Sequence, residues 1–285
     1  MRPAQFGKPW AGILIALAVV VVFSLLLGFF LPGLGQHRVS YADARLMAQF
    51  NAMNAALELF AHEFDTYPPS DANDPVGRPY CGSMKLTEAL MGRDLFGFHV
   101  ESIFRQDGLG PGGTLLYPAD MAELPLPLRK IRKGPFLQAE NANAWRLVDI
   151  YGTGNTGPFA ESTFVLCDPY TRERPSGART GMPILYYRAN PSGTAPDVMN
   201  PVNPQNTYRY QDNQALLALG VPGKPGETHP LADPKQFYTS TQDRKISSKP
   251  DPHRRDTFIL ISAGSDGLYG TADDICYSDR GYHRR

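Results

Sequence analysis

The C-terminal part of the chain carries three carboxylates in a short glycine-rich loop. Asp266, Asp273 and Asp274 lie within nine positions. Three glycines let the backbone fold tightly around a centre, namely Gly264, Gly267 and Gly270. Like charges held a few ångströms apart repel each other unless a cation lies between them. Flexible oxygen ligands suit Ca²⁺, whereas Zn²⁺ prefers His or Cys, so we expect these three aspartates to bind Ca²⁺.

An ordinary Asp/Gly surface turn is the alternative interpretation of this loop. Its spacing is not that of an EF-hand, because no acidic residue follows at position 12 of a D-x-D-x-D-G start. The sequence alone leaves both interpretations open.

Several motifs of common enzyme classes are absent from the sequence. His62-Glu63 continues into Phe64-Asp65, so an H-E-x-x-H zinc site lacks its second histidine. There is no G-x-S-x-G and no Walker loop. The six histidines are dispersed along the chain. We therefore expect a protein that is not an enzyme.

The chain has three cysteines, at positions 81, 167 and 276. They are too few and too scattered for a disulfide framework. A bridge Cys81–Cys276 or Cys81–Cys167 is open to a protein outside the cytoplasm, and the spacing does not choose between them.

Short strands and one helix are predicted to position the loop. An apolar run at 257–262 predicts a strand that leads directly into it, so that 257–276 forms one strand-and-loop unit. Further strands are predicted at 145–150, 162–167 and 183–188, and a short helix at 85–91. Residues 189–256 are dense in Pro, Asn, Gly and Gln, which favours an extended surface insertion.

A longer amphipathic helix is predicted over residues 40–65. Six apolar residues recur at steps of four and three, forming one stripe: Leu46, Phe50, Met53, Leu57, Phe60 and Phe64. The stripe is typical of a helix packed on a sheet, with a coiled-coil contact as the alternative. The opposite face, with Arg45, Gln49, Glu58 and Glu63, is expected to be solvated.

Residues 11–31 contain no charge and are long enough to cross a bilayer as a helix of roughly 32 Å. The run exceeds the h-region of a cleaved signal, which favours a retained anchor. We expect residues 1–10 to be cytoplasmic and 36–285 to form an extracytoplasmic head. The 28 basic and 28 acidic residues balance, which argues against nucleic acid as a partner.

Several landmarks resemble the major pseudopilin of type II secretion systems, a type IV pilin-like family. They follow in the family's order: a membrane helix that continues as an amphipathic helix, Tyr67-Pro68, Asp168-Pro169-Tyr170, residues 181–187 (GMPILYY) and the Asp266-Gly267 loop. Ten inserted residues, 171–180, split the middle motif. The N-terminus departs from the family, since Lys8 and Pro9 follow Gly7 and no acidic residue precedes Asp43.

The resemblance implies an α+β fold in which a long N-terminal helix, first transmembrane and then amphipathic, packs on a small antiparallel sheet under a loop-rich head with insertions. It implies Ca²⁺ ligation by Asp266, Asp273 and Asp274 with nearby carbonyls. The expected function is structural, as a single-pass inner-membrane component or accessory of a secretion or pilus-like system, with other pilin-like subunits contacted through the membrane helix.

The alternative function is a membrane-tethered ligand-binding module, or an unrecognised hydrolase, on a pilin-like stem. It would place the ligand surface in the proline-rich segment 189–256.

Overall fold

The computed structural model describes residues 41–118, 126–127, 131–193, 197–242, 252–278 and 281–284. Residues 45–285 form one compact unit. The predicted cytoplasmic segment 1–10 and the predicted membrane helix 11–31 lie outside the described residues. Among the residues that are described, none of the helices combines the length and apolar character needed to cross a membrane.

The first helix, α1, covers residues 41–64. Five members of its predicted stripe are at most 3% exposed, Leu46, Phe50, Met53, Leu57 and Phe60, and Phe64 is half-buried. The opposite face is not uniformly solvated, which corrects the expectation for Gln49. That side chain is buried, and its Nε2 donates to the carbonyl oxygens of Cys167 (2.9 Å) and Ala142 (3.3 Å). Periodicity alone does not reveal such a partner, because it comes from segments far along the chain.

The second helix, α2, runs over Gly82–Met91, and all ten residues are buried. It ends at Gly92, whose φ of 81° lies in the left-handed region that glycine tolerates. The Gly92 N–H closes the last turn by donating to the Glu88 carbonyl. The helix therefore lies inside the unit, with polar residues such as Lys85 and Glu88 held by internal partners rather than by water.

Four antiparallel strands form the main sheet, in the order β10-β9-β8-β7. Their bounds are β7 Leu185–Arg188, β8 Phe258–Ser262, β9 Ile275–Ser278 and β10 Gly281–Arg284. In register, Tyr187 pairs with Ile259 of β8, and Ile261 with Cys276 of β9. All five residues of β8 are buried, so its continuous apolar sequence serves both faces of the sheet.

Aromatic contacts cover the two faces of this sheet. On one face, Phe50 of α1 meets Tyr277 of β9 edge to face, with ring centroids 6.0 Å apart. On the other, Tyr187 packs on Phe237 with centroids 4.8 Å apart. Such pairs add specific geometry to the burial of large apolar rings. The α+β class with small antiparallel sheets is thus confirmed.

Within the described ranges, three two-stranded sheets and several short helices accompany the main sheet. The small sheets pair β1 Phe98–His99 with β2 Arg132–Lys133, β3 Ala144–Arg146 with β4 Phe164–Leu166, and β5 Arg172–Glu173 with β6 Arg179–Thr180. The short α-helices are α3 Ala139–Ala142, α4 Leu147–Tyr151, α5 Gln214–Leu217 and α6 Pro234–Thr241. Single 3₁₀ turns occur at Pro111–Gly113, Tyr210–Asn213 and Pro230–Ala232.

The predicted strand at 145–150 is wrong beyond Arg146. Residues Leu147–Tyr151 form α4, at whose first turn the Asp149 carboxylate accepts from the Arg146 backbone N–H and from its side chain. A favourable cap at the first turn outweighs the strand propensity of the aromatic and β-branched residues.

The segment 189–256 is also not the surface extension that its composition predicts. Its aromatic and leucine side chains enter the main core, including Tyr208, Leu216, Leu217, Leu231, Phe237 and Tyr238. Buried Asn206 ties its loops together, because Nδ2 donates to Tyr238 Oη (2.9 Å) and Oδ1 accepts from the Asp197 N–H (2.6 Å). The large apolar residues spaced along this segment thus decide its burial, in spite of its high Pro and Gly content.

Candidate functional site

The carboxylate loop joins β8 to β9, the two central strands of the main sheet. Gly264 opens it with a φ of 62°, and a Cβ at this position would lie 2.2 Å from the Asp273 carbonyl oxygen. Gly264 is therefore required both for the left-handed backbone and for the close approach of the two ends of the loop. This folding brings residue 266 next to residue 273.

Asp273 is the centre of the hydrogen bonds inside the loop. Its Oδ2 accepts from the backbone N–H of Asp266 at 2.9 Å and from Ser265 Oγ at 2.8 Å. Its Oδ1 accepts from Thr271 Oγ1 at 2.7 Å. Asp266 in turn accepts the Leu268 N–H through Oδ1 at 2.7 Å. Both carboxylates are thus oriented by the loop itself.

The two carboxyl groups influence each other's ionisation. Burial raises the pKa of Asp266, and the neighbouring Asp273 carboxylate raises it further. Burial also acts to raise the pKa of Asp273, but hydrogen bonds from Thr271 and Ser265 outweigh it, so this pKa lies below its usual value. Asp273 is therefore ionised first, and its charge disfavours ionisation of Asp266.

Asp274 occupies a different environment from the other two predicted ligands. Its side chain is fully buried, and Oδ2 accepts from the Gly270 N–H at 2.7 Å. The Gly270 backbone lies close to Leu231, since a Cβ there would be 2.4 Å from the Leu231 nitrogen. Asp274 thus fixes the turn at Gly270 against the segment 230–231.

Across the described ranges, no group of three or more His, Cys, Asp or Glu side chains is arranged to hold a metal ion. The structure brings Asp266 and Asp273 together but does not assemble all three aspartates into such a group. The hydroxyls of Ser265 and Thr271 also contact the pair, since both donate to Asp273. Carboxylate, hydroxyl and carbonyl oxygens are ligands that Ca²⁺ accepts, so the chemistry of the pair fits a hard cation.

Arg172 of β5 provides a positive charge beside this loop. Its Nη2 donates to the Ser265 carbonyl oxygen. The guanidinium group therefore binds the loop backbone at the residue that precedes Asp266.

A buried carboxyl group below the loop was not identified from the sequence as a site residue. Asp168 is fully buried; its Oδ2 accepts from Ser262 Oγ at 2.8 Å, and its Oδ1 accepts from the N–H groups of Tyr170 and Met182. Burial raises the pKa of Asp168 to about 7 in spite of these three donors. Ser262 also accepts the Gly264 N–H at 3.1 Å.

Asp168 thus connects the start of the carboxylate loop to the segment that carries Met182. The available signal was a serine at the end of the otherwise apolar strand FILIS. A hydroxyl in that position needs a buried partner.

All three cysteine thiols are free and buried, so neither predicted bridge is formed in this structure. Burial raises the pKa of the Cys81 thiol to about 12. A thiol with such a pKa is protonated at neutral pH and is a poor nucleophile.

Comparison of the chain with family models, with curated proteins and with solved structures gives no match.

Proposed function

We propose that this chain is a membrane-anchored, pilin-like structural protein, a component or accessory of a type II secretion or pilus-like system. Residues 11–31 would form the anchor in the inner membrane, and the compact unit would be its extracytoplasmic head. Other pilin-like subunits would be contacted through the membrane helix.

The observation that carries this proposal is the packing of α1 on the main sheet. The stripe of α1 is buried, and Phe50 meets Tyr277 of a central strand. In the sequence, the 21 uncharged residues 11–31 come shortly before this amphipathic helix, and in the proposal they would form the membrane stem. That arrangement, with a loop between the two central strands, is what the sequence resemblance implies for a pilin-like head.

The proposal includes a Ca²⁺ ion held by the side chains of Asp266 and Asp273 with nearby carbonyl oxygens. Asp274 would support the loop by fixing the turn at Gly270. A cation between the paired carboxylates would allow both to ionise and would hold together the ends of β8 and β9. Its role would be structural, since an ion that binds only the folded state stabilises that state.

A photo-cross-linking experiment in native membranes tests the structural role. A photoreactive residue at Leu17, inside the predicted anchor, should cross-link the full chain to other small single-pass chains that mass spectrometry identifies as pilin-like. The same residue at Met199, which is 93% exposed in the head, is the control and should not. A chain that remains uncross-linked at Leu17, or cross-links equally at both positions, contradicts the proposal.

A further inference from the structure

A polar cleft lies between the segment that follows α1 and the loops of residues 189–256. A hollow of about 410 Å³ is lined on one side by Asp71 and Asn73, and on the other by Asn203, Arg209 and Asp212. Its volume is within the range of roughly 300–1,000 Å³ that small-molecule sites occupy. A second hollow, of about 160 Å³, shares three of these residues and adds Arg188 and Asn190. The two hollows therefore adjoin.

The floor of the cleft is fixed by buried hydrogen bonds. Lys85 of α2 donates through Nζ to the carbonyl oxygens of Asp71 and Asn73, both at 2.8 Å. Ser70 Oγ donates to Asp212 Oδ2 and accepts the Arg188 N–H at 3.0 Å. Groups held in this way are oriented before a ligand arrives, which lowers the entropic cost of binding.

The opposite wall is fixed by Asn206. Its Nδ2 donates to the carbonyls of Asn200 and Pro201, at 3.2 and 3.3 Å, and so holds the loop that presents Pro201 and Asn203 to the cleft. Asn206 is fully buried and does not line either hollow. The cleft is thus built by the fold and is not a gap between loose loops.

Positive charge dominates the cleft at neutral pH. Two guanidinium groups line it, those of Arg188 and Arg209. Arg209 lies 3.6 Å from the exposed Asp71 carboxylate, and no ion pair to Arg188 occurs within the described ranges. Burial raises the pKa of Asp212 to about 8, so this carboxyl is mostly neutral at pH 7. One carboxylate therefore faces two guanidinium groups, which favours an anionic ligand.

The remaining lining favours a ligand that carries hydroxyl groups. Asn73 and Gln211 each contribute an amide, which both donates and accepts hydrogen bonds, whereas the Asn203 amide is held by Asp197 and the Gln205 N–H. A hydroxyl also donates and accepts, so it matches an amide in either orientation. Pro201 and Pro204 supply flat apolar surfaces between these polar groups. An aliphatic carboxylate without hydroxyls would leave the amides of Asn73 and Gln211 without a ligand partner.

We propose that this cleft binds an acidic saccharide unit, with the ligand carboxylate on Arg188 and Arg209 and its hydroxyls on the amides of Asn73 and Gln211. This inference is independent of the calcium loop and of the membrane anchor. It assigns a ligand-binding role to the part of the chain that the sequence predicts to be an insertion.

Calorimetric titration of the full chain with D-galacturonate, D-galactose and acetate tests the assignment. Galacturonate should bind, and the other two should bind at least tenfold more weakly, because each lacks half of the recognised groups. Arg188→Gln and Arg209→Gln should each weaken galacturonate binding about 10- to 100-fold, as expected for loss of a charge-assisted hydrogen bond. Arg179→Gln, at an exposed residue that does not line the cleft, is the matched control and should bind as wild type.

The outcomes separate this inference from the proposed structural function. No binding of galacturonate, equal binding of galactose or acetate, or unchanged binding in both arginine variants overturns it. Calcium chelation should leave the titration unchanged, since the loop residues 264–274 do not line the cleft. A variant that fails to fold is recognised by its circular dichroism spectrum. In that case, galacturonate binding by the other arginine variant tests the inference.

The pH dependence provides a second readout. The Asp212 carboxyl faces Ser70 and the charged groups of Asp71, Arg209, Lys85 and Arg188. Its ionisation near pH 8 adds a negative charge to the cleft. Galacturonate affinity should therefore fall several-fold between pH 7 and pH 9, and Asp212→Asn should remove most of that fall. Parallel profiles in both proteins would overturn the assigned placement of the carboxylate.

Discussion

The backbone N–H of Asp266 donates to the Asp273 carboxylate across the loop between β8 and β9, with nitrogen and Oδ2 2.9 Å apart. The Asp266 side chain consequently lies next to the Asp273 carboxylate, whose negative charge raises the pKa of Asp266. Without a cation, the repulsion between the two carboxylates contributes to the raised pKa of Asp266. In the proposed calcium site, a divalent cation would relieve that repulsion, and it would do so only in the folded chain, where residues 266 and 273 are adjacent.

Calcium should therefore stabilise the full chain, and Asp273→Ala or Asp266→Ala should abolish that gain. At a free ion concentration 100 times the dissociation constant, the gain is about 2.7 kcal/mol, which raises the thermal midpoint by roughly 5–10 °C in a unit of this size. Thermal unfolding with millimolar Ca²⁺ and with chelator measures it.

The control for this measurement is Asp256→Ala, at an exposed aspartate outside the loop, which should keep the full calcium response. An equal rise in midpoint in wild type and in both loop variants would rule out the assigned ligands. No rise in any of the proteins would leave the loop as an ordinary Asp/Gly turn.

Gly264→Ala should destabilise the chain by about 2 kcal/mol or more. A φ of 62° costs a residue with a Cβ about 1–2 kcal/mol, and the added carbon would also meet the Asp273 carbonyl oxygen at 2.2 Å. Gly177→Ala is a close control, because its φ is 81° and no atom lies within 4 Å of the added carbon. Urea denaturation gives the loss of stability in both variants. The loss in Gly177→Ala reports the backbone cost alone, and the additional loss in Gly264→Ala reports the steric cost. Equal losses in the two would show that the loop relaxes around the methyl group.

The elements that were predicted well from the sequence depend on local patterns. The stripe of α1 follows from the spacing of Leu46 to Phe64, and β8 follows from five consecutive apolar or small residues before a glycine turn. The end of α2 at Gly92 follows from the low cost of a positive φ at glycine. In each case the signal is carried by residues that are close together in the sequence.

What the sequence did not predict depends on partners far along the chain. Gln49 is buried because the Cys167 carbonyl, 118 positions away, accepts from its amide. The cleft residues Asp71 and Arg209 come from segments on opposite sides of the chain's midpoint. Proline and asparagine content predicts loops correctly, but it does not predict whether Tyr208 or Phe237 between them enters the core. Amino-acid composition indicates where the backbone forms loops, whereas the burial of a side chain depends on the tertiary fold.

The contact between α1 and the sheet predicts a large cost for removing its central ring. Phe50→Ala should destabilise the chain by about 3–5 kcal/mol, because the side chain is fully buried and its ring meets Tyr277. Leu59→Ala, on the same helix but 57% exposed, should change stability by no more than about 0.5 kcal/mol. Chemical denaturation gives both values. Similar costs at the two positions would mean that the stripe does not define the packed face.

Stability should fall with rising pH through the titration of Asp168. Burial raises its pKa from the ordinary 3.8 to about 7, so between these values the folded state holds a proton that the unfolded state has lost. The free energy of unfolding therefore decreases as pH rises through this window, by at most about 1.4 kcal/mol per pH unit from this group. Below pH 3.8 both states are protonated, and the contribution of the group is then fully present.

Asp168→Asn should remove this slope while keeping the shape of the side chain and its acceptor for the N–H groups of Tyr170 and Met182. Denaturation at pH 5 and pH 7 should show wild type losing up to about 2.7 kcal/mol more stability than the variant over the two pH units.

The control is Asp256→Asn, at an exposed position, which should keep the pH slope of wild type. Asp212 has a raised pKa of its own and contributes the same sign in all three proteins, so only the difference between proteins isolates Asp168. If the variant and wild type lose equal stability, Asp168 is already ionised at pH 5 in the folded chain, and the hydrogen bonds from Ser262 and the two N–H groups outweigh its burial.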